Sequence, residues 1–177
     1  MSDMFDRAKS RFTDRIQSPR DLLEFKLGST LKMERTVLEM LETLEDEARR
    51  GELKHQFRHH ADETRDQIEN IEQAFAALGA RIDDKPCPTI EAIDKEGKAN
   101  IKLADERMVD AVILSGAAET EHHEIAVYET LITHAEALGE QEVVDRLREN
   151  LEQEKHTLEE VRRAMQQTAH ELSHQAV

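Results

Sequence analysis

The chain has 177 residues, enough for one domain with a sizeable core, and contains only six Gly and three Pro. Leu, Ala, Glu, Lys, Arg and Gln dominate, a strongly helical composition. A net charge of −15 and 3% aromatic residues with no Trp argue against a nucleic-acid partner and against base-stacking surfaces.

Residues 1–17 mix Asp, Lys and Arg with Met4, Phe5, Phe12 and Ile16, which suits a short amphipathic helix or a loose arm. Ser18-Pro19-Arg20-Asp21 is a helix start, with a serine cap, proline at the first helical position and an acid in the first turn. Leu23, Leu27, Leu31, Val37, Leu38, Leu41 and Leu44 then recur at helical spacing, with Glu34 in their midst, and predict a helix ending at Gly51. A second helix is expected over about 52–78, stopping at Gly79. Its stripe includes Leu53, Phe57, Ala61, Ile68, Ile71 and Phe75, with His60, Glu63 and Gln67 on or beside it. The tight joint at Gly51 makes the pair an antiparallel hairpin.

Asp83-Asp84-Lys85-Pro86-Cys87-Pro88-Thr89 reads as a loop, because each proline breaks a helix and restricts the residue before it. Thr89 is the expected cap of a short helix through Ile90, Ile93 and Ile101, weakened at Gly97. A third long helix is expected over about 105–138, from Asp105 to a stop at Gly139. A fourth, over about 140–170, carries Val143, Val144, Leu147, Leu151, Leu158, Val161 and Met165, interrupted by Glu154. The tail from Ser173 is expected to fray. Two hairpins joined by a long crossover make an all-α, ferritin-like four-helix bundle. The bundle would fill about 19–170, between an N-terminal arm (1–18) and a C-terminal tail (171–177).

Each long helix places glutamate on or beside its inward stripe near its middle: Glu34, Glu63, Glu121 with Glu124, and Glu154. Glu121 and Glu124 lie three apart, so both carboxylates leave one helical face, shared with Leu114, Ala117, Ala118, Ile125 and Leu131. Acids turned into a core are costly unless something positive meets them. With 36% of the chain charged, one inward glutamate is ordinary, whereas four helices doing so at matching depth are not. Glu34, Glu121, Glu124 and Glu154 carry four negative charges, which two divalent cations neutralise; His60 adds a neutral imidazole and Glu63 a further acid. Oxygen-rich ligation with one imidazole suits iron or manganese better than copper, and the lack of thiolates disfavours structural zinc.

The segments Leu31-Lys32-Met33-Glu34-Arg35, His60-Ala61-Asp62-Glu63-Thr64-Arg65-Asp66-Gln67, Lys85-Pro86-Cys87-Pro88, Glu121-His122-His123-Glu124-Ile125-Ala126-Val127-Tyr128 and Leu151-Glu152-Gln153-Glu154-Lys155 resemble the YciE/YciF group of ferritin-like proteins. The similarity covers about 20–170. It implies a metal-binding, ferroxidase-type protein linked to bacterial stress, dimeric in form, and its Glu121/Glu124 pair is also similar to that of rubrerythrin-like sites. One departure stands out. Ferritin-like di-iron sites carry Glu-x-x-His on the second and fourth helices, but Thr157 follows Glu154 and Asp66 follows Glu63 at those positions.

The expected metal ligands are therefore Glu34, His60, Glu63, Glu121, Glu124 and Glu154, holding two iron or manganese ions. Gln67, His122 and Tyr128 are candidates to hydrogen-bond those ligands; Gln67 equally suits packing, and Tyr128 equally suits a core tyrosine with another partner. His123 diverges around the helix, and His55, His59, His134, His156, His170 and His174 read as solvated. Cys87 is the one cysteine, so neither an intrachain disulfide nor a Cys-rich metal site is available, and no local base activates it. A reducing compartment follows, and with no signal-like segment or apolar span of about 18 residues the expected location is cytoplasmic, without a membrane partner. Three functions compete: a ferroxidase-type redox enzyme using dioxygen or hydrogen peroxide, a manganese catalase-like peroxide dismutase, and a non-catalytic stress or interaction module.

Overall fold

The computed structural model describes residues 15–175, so the N-terminal arm expected over 1–18 lies almost wholly outside the described residues. Four long helices run α1 (Pro19–Glu47), α2 (Gly51–Ala77), α4 (Val109–Leu138) and α5 (Gln141–Gln175). The shorter α3 (Pro88–Leu103) and a 3₁₀ turn (Glu106–Met108) lie in the crossover between α2 and α4. The fold is all-α among the described residues, the ferritin-like bundle of two hairpins.

The Ser18 cap forms as expected: its Oγ accepts the Asp21 N–H at 3.1 Å, and Pro19 opens the helix. Gly79 and Gly139 both adopt left-handed φ, +64° and +73°, just beyond α2 and α4. Each then lets the chain reverse without a Cβ penalty.

Gly51 behaves otherwise. It is the first residue of α2, and α1 stops earlier, at Glu47. The turn's N–H groups at Arg49 and Arg50 are taken by the buried Asp110 carboxylate of α4, at 2.7 and 3.2 Å, so no left-handed residue is needed. At α3 the proline takes the first helical position, Cys87 stands in the cap position, and Thr89 falls inside the helix. Gly97 does not interrupt α3. The third long helix starts at Val109, because residues 106–108 close a 3₁₀ turn first. Rather than fraying at Ser173, α5 continues to Gln175. Its last turns are held by the Arg50 guanidinium, which bonds the Thr168 hydroxyl and pairs with Glu171 at 3.6 Å.

The long helices form a closed ring of neighbours, α1 against α2, α2 against α5, α5 against α4 and α4 against α1, with α3 laid over α1 and α4. Arg20 at the start of α1 bonds the Leu78 carbonyl and pairs with Glu140 at 3.4 Å, so α2 and α4 both end where α1 begins. Asp110 at the α1–α2 turn fixes the start of α4 at the opposite end. The crossover therefore runs the length of the bundle. Loop 83–86 packs tightly on α1: the Lys85 N–H bonds the Gly28 carbonyl at 3.2 Å, and a Cβ on Gly28 would meet the Asp83 carbonyl oxygen at 2.2 Å. Ile90, fully buried, anchors α3.

Both ends of the bundle core are apolar, with Leu23, Leu27 and Leu31 at one end and Leu41, Phe57, Leu114 and Val161 at the other. Between them lies a cluster of buried polar residues, Glu34, His60, Glu121, Glu124 and Glu154.

Candidate metal centre

Helical spacing brings the ligand candidates to that polar middle. Glu34, Glu124 and Glu154 are fully buried, and His60 and Glu121 nearly so. Single ligand atoms of His60, Glu121, Glu124 and Glu154, contributed by α2, α4 and α5, all lie within 4.8 Å of one another. The His60 Nε2 is 3.4 Å from Glu121 Oε1 and 3.8 Å from Glu154 Oε2. Glu34 reaches the same layer from α1.

Buried polar atoms are ordinarily paired, yet here Glu34 Oε2, Glu121 Oε2, His60 Nε2 and both carboxylate oxygens of Glu124 and of Glu154 have no hydrogen-bond partner among the described residues. Carboxylate oxygens left without donors in this way, beside one imidazole nitrogen, fit oxygen-preferring divalent cations. This group could hold a metal ion. Burial raises the Glu34 carboxyl to about 7, opposed by the Tyr128 hydrogen bond and the His60 charge. Burial, then the neighbouring Glu154 and Glu34, pushes Glu124 well above the carboxylate range, and burial does the same to Glu154. Burial opposes the charged form of His60, but Glu121 and the surrounding acids outweigh it and hold its pKa well above the histidine range.

Glu63 stands apart from this group. Its carboxylate is partly exposed, 3.6 Å from His60 Nδ1 and 3.4 Å from His59 Nδ1 on the outer side of α2. The His60 ring holds its pKa below the ordinary value against the effect of burial. Thr157, at the position where histidine was missed, has its hydroxyl 3.5 Å from His60 Nδ1. His60 of α2 thus occupies the space beside the fourth-helix site.

Below the carboxylates lies a sealed polar layer. Tyr128, the single tyrosine of the chain, donates its hydroxyl proton to Glu34 Oε1 at 2.5 Å and accepts from Asn150 Nδ2 at 3.0 Å. Asn150 also donates to the Gln67 backbone carbonyl at 3.2 Å and accepts from Asn70 at 2.8 Å. Gln67 therefore enters the network through its backbone, while its buried side-chain amide has no hydrogen-bond partner among the described residues. His122 does not join these residues: it is exposed on α4, with its Nε2 3.1 Å from the Arg162 guanidinium. Asn150 escaped the sequence reading. It sits four residues before Glu154, on the same face of α5, and that spacing was the available signal.

A cavity of about 30 Å³ opens beside His60, Glu121 and Thr157, between apolar walls that include Leu41, Phe57, Leu114 and Val161, with Glu63, His59 and Glu160 on its outer side. It has room for about two water-sized molecules.

The model of the family described as "Domain of unknown function (DUF892)" matches residues 18–173. The chain belongs to this family. It is the YciE/YciF-type family of ferritin-like proteins. Among DUF892 relatives, Protein YciF of Escherichia coli (strain K12) is 32% identical over 139 residues, 77% of this chain and 84% of that protein. Of the solved structures, YcfI of Rhodopseudomonas palustris, called there a candidate structural protein, aligns at a TM-score of 0.82 and 34% identity over 85% of this chain and 97% of that one. The crystal structure of the E. coli stress protein YciF aligns at 0.84 and 28% identity, over 88% and 99%. A Xanthomonas campestris protein at 22% identity and a TM-score of 0.72, over 90% and 100%, shares the fold. Among the described residues no helix is long and apolar enough to cross a membrane.

Proposed function

We propose that this DUF892 protein is a ferroxidase-type redox enzyme that oxidises Fe(II) with dioxygen or peroxide, in the stress setting that the name of the E. coli relative YciF suggests. The observation that carries this reading is the gathering of unpartnered, buried Glu121, Glu124 and Glu154 oxygens around His60 at the centre of the bundle, with the buried Glu34 carboxylate coupled to them. Bound there, two iron ions would supply the electrons that reduce the oxidant.

The chain's own residues do the rest. Glu121, Glu124, Glu154 and Glu34 neutralise the charge of two divalent cations, and His60 adds an imidazole from α2. Tyr128 and Asn150 orient Glu34 from below, so that Oε1 is engaged and Oε2 points free. The cavity beside His60 and Glu121 has room for a molecule of two heavy atoms. Protons released when a cation displaces them from Glu34, Glu124 and Glu154 are available to the reduced oxidant. Assembly as a homodimer in the cytoplasm belongs to the same proposal.

The test is anaerobic Fe(II) titration followed by air, monitored by Fe(III) absorbance, for the wild type and Glu124→Ala. Oxidation above the buffer rate that disappears in the variant supports the proposal; equal rates in protein and buffer sink it. Manganese in the same residues would instead give a peroxide dismutase, which oxygen evolution from peroxide separates. A non-catalytic role has Thr157 in its favour, since a fourth-helix histidine is missing, and substoichiometric metal with no activity would select it.

A further inference from the structure

The ligand cluster is closed on one side and open on the other. On the Tyr128 side, Gln67, Tyr128 and Asn150 are fully buried and the core beyond them is aliphatic. On the His60 side, side-chain exposure rises stepwise outward along α2, from 4% at His60 to 21% at Glu63 and 65% at His59. These three share the cavity that reaches Glu121, and their polar atoms follow one another at 3.4 to 3.6 Å: His59 Nδ1 to Glu63 Oε2, Glu63 Oε2 to His60 Nδ1, and His60 Nε2 on to Glu121 Oε1. Glu160 adds a second carboxylate to the outer rim, and the inner walls Leu41, Phe57, Leu114 and Val161 are apolar, so the His59–Glu63–His60 line is a polar edge by which a cation can descend.

From this geometry we infer that His59 and Glu63 form an uptake route for divalent cations, with Glu63 as a transit ligand that passes the ion inward past His60 to Glu121 and Glu154. This rests on the metal-binding reading above and assigns Glu63 a role outside the resident ligand set. Three features support it. Glu63 carries a single negative charge at the mouth of a low-dielectric cavity, where a charge raises the local concentration of its counter-ion. Among the described residues its carboxylate has only imidazole neighbours within ion-pair distance, so none of their lysines or arginines competes with an arriving cation. Its partial exposure lets the side chain turn between solvent and His60, a freedom that the buried carboxylates lack.

The experiment is stopped-flow uptake of Co(II) by metal-free protein under anaerobic conditions, read by the visible absorbance of the bound ion. Glu63→Gln keeps the shape and removes the charge, so uptake is expected to slow by about tenfold and lose much of its salt dependence, as for a charge at the rim of a binding site. The final absorbance and stoichiometry stay at the wild-type value, and Glu63→Asp restores part of the rate. Glu121→Gln, in contrast, reduces the endpoint itself. An unchanged rate in Glu63→Gln overturns the route, and an endpoint lost in Glu63→Gln as in Glu121→Gln overturns it by making Glu63 a resident ligand. If the wild type takes up no Co(II), the metal-binding reading falls, and the route with it.

Discussion

Tyr128 on α4 donates to Glu34 on α1 over 2.5 Å, and this contact ties the two hairpins together at the level of the carboxylates. The phenol also accepts from Asn150, so removing its oxygen strands two buried groups at once. Tyr128→Phe is expected to destabilise the metal-free protein by about 1–3 kcal/mol in urea unfolding, the cost of orphaned buried partners. The same change releases Glu34 from the hydrogen bond that restrains its pKa, so its titration should move upward. An unaltered urea midpoint would show that the contact contributes nothing net.

Acid stabilises the metal-free centre. The folded-state pKa of Glu34 is raised from 4.5 to about 7, and those of Glu124, Glu154 and His60 are raised as well. The native state therefore binds more protons than the unfolded chain, and stability falls as pH rises. For Glu34 this contribution is complete below 4.5 and is lost as pH climbs through about 7, on the order of 3 kcal/mol. Glu63, whose pKa is lowered, acts with the opposite sign and only below the ordinary carboxyl range. Urea midpoints of metal-free protein should thus be higher near about pH 5.5 than near about pH 8. Saturating Mn(II) should remove most of that slope, because metal affinity increases as the ligands lose protons.

Glu124→Gln separates stability from binding. It replaces a buried carboxyl whose ionisation burial and the neighbouring acids oppose by a neutral amide of similar shape, so the metal-free variant should melt above the wild type as pH rises. It should also lose the upward shift on adding Mn(II), which for the wild type approaches 2.7 kcal/mol at about 100 times Kd. Differential scanning calorimetry with and without the ion reads both effects. A variant that kept the full metal-induced shift would remove Glu124 from the ligand set.

Two helical glycines should respond in opposite directions. At Gly28 an added Cβ meets the Asp83 carbonyl at 2.2 Å, so Gly28→Ala forces loop 83–86 off α1 and should cost about 1–3 kcal/mol. At Gly116 in α4 an added Cβ would meet no other described group within 4 Å, and Gly116→Ala should gain up to about 1 kcal/mol from helix propensity. Thermal melts of the pair, taken together, test whether the loop is seated as described.

The long helices and the ring they form were legible because aliphatic residues at helical spacing are read directly from the chain, and Ser18, Gly79 and Gly139 end them with local chemistry. Glu34, Glu121, Glu124 and Glu154 were legible for the same reason: a charge in an apolar stripe has nowhere to go but inward. Other features depended on long-range contacts. Gly51 looked like a stop until Asp110, distant in sequence, supplied the partner that makes a left-handed turn unnecessary. Glu63 shares its helix face with His60, yet a small rotation around α2 separates a buried side chain from a partly exposed one. His122 is adjacent to Glu121, but neighbours on a helix diverge by about 100°, and Arg162 holds it at the surface. Asn150 is polar like much of α5, so its burial came only from packing against Tyr128.

The Asp110 carboxylate that closes the α1–α2 turn is made well after that turn has left the ribosome. During synthesis the first hairpin is thus complete in sequence while its turn amides at Arg49 and Arg50 still lack their acceptor. Because a domain generally folds as a unit, the connection of the first pair of helices is satisfied only once the first turn of α4 is in place. Chain order alone thereby couples the two halves of the bundle.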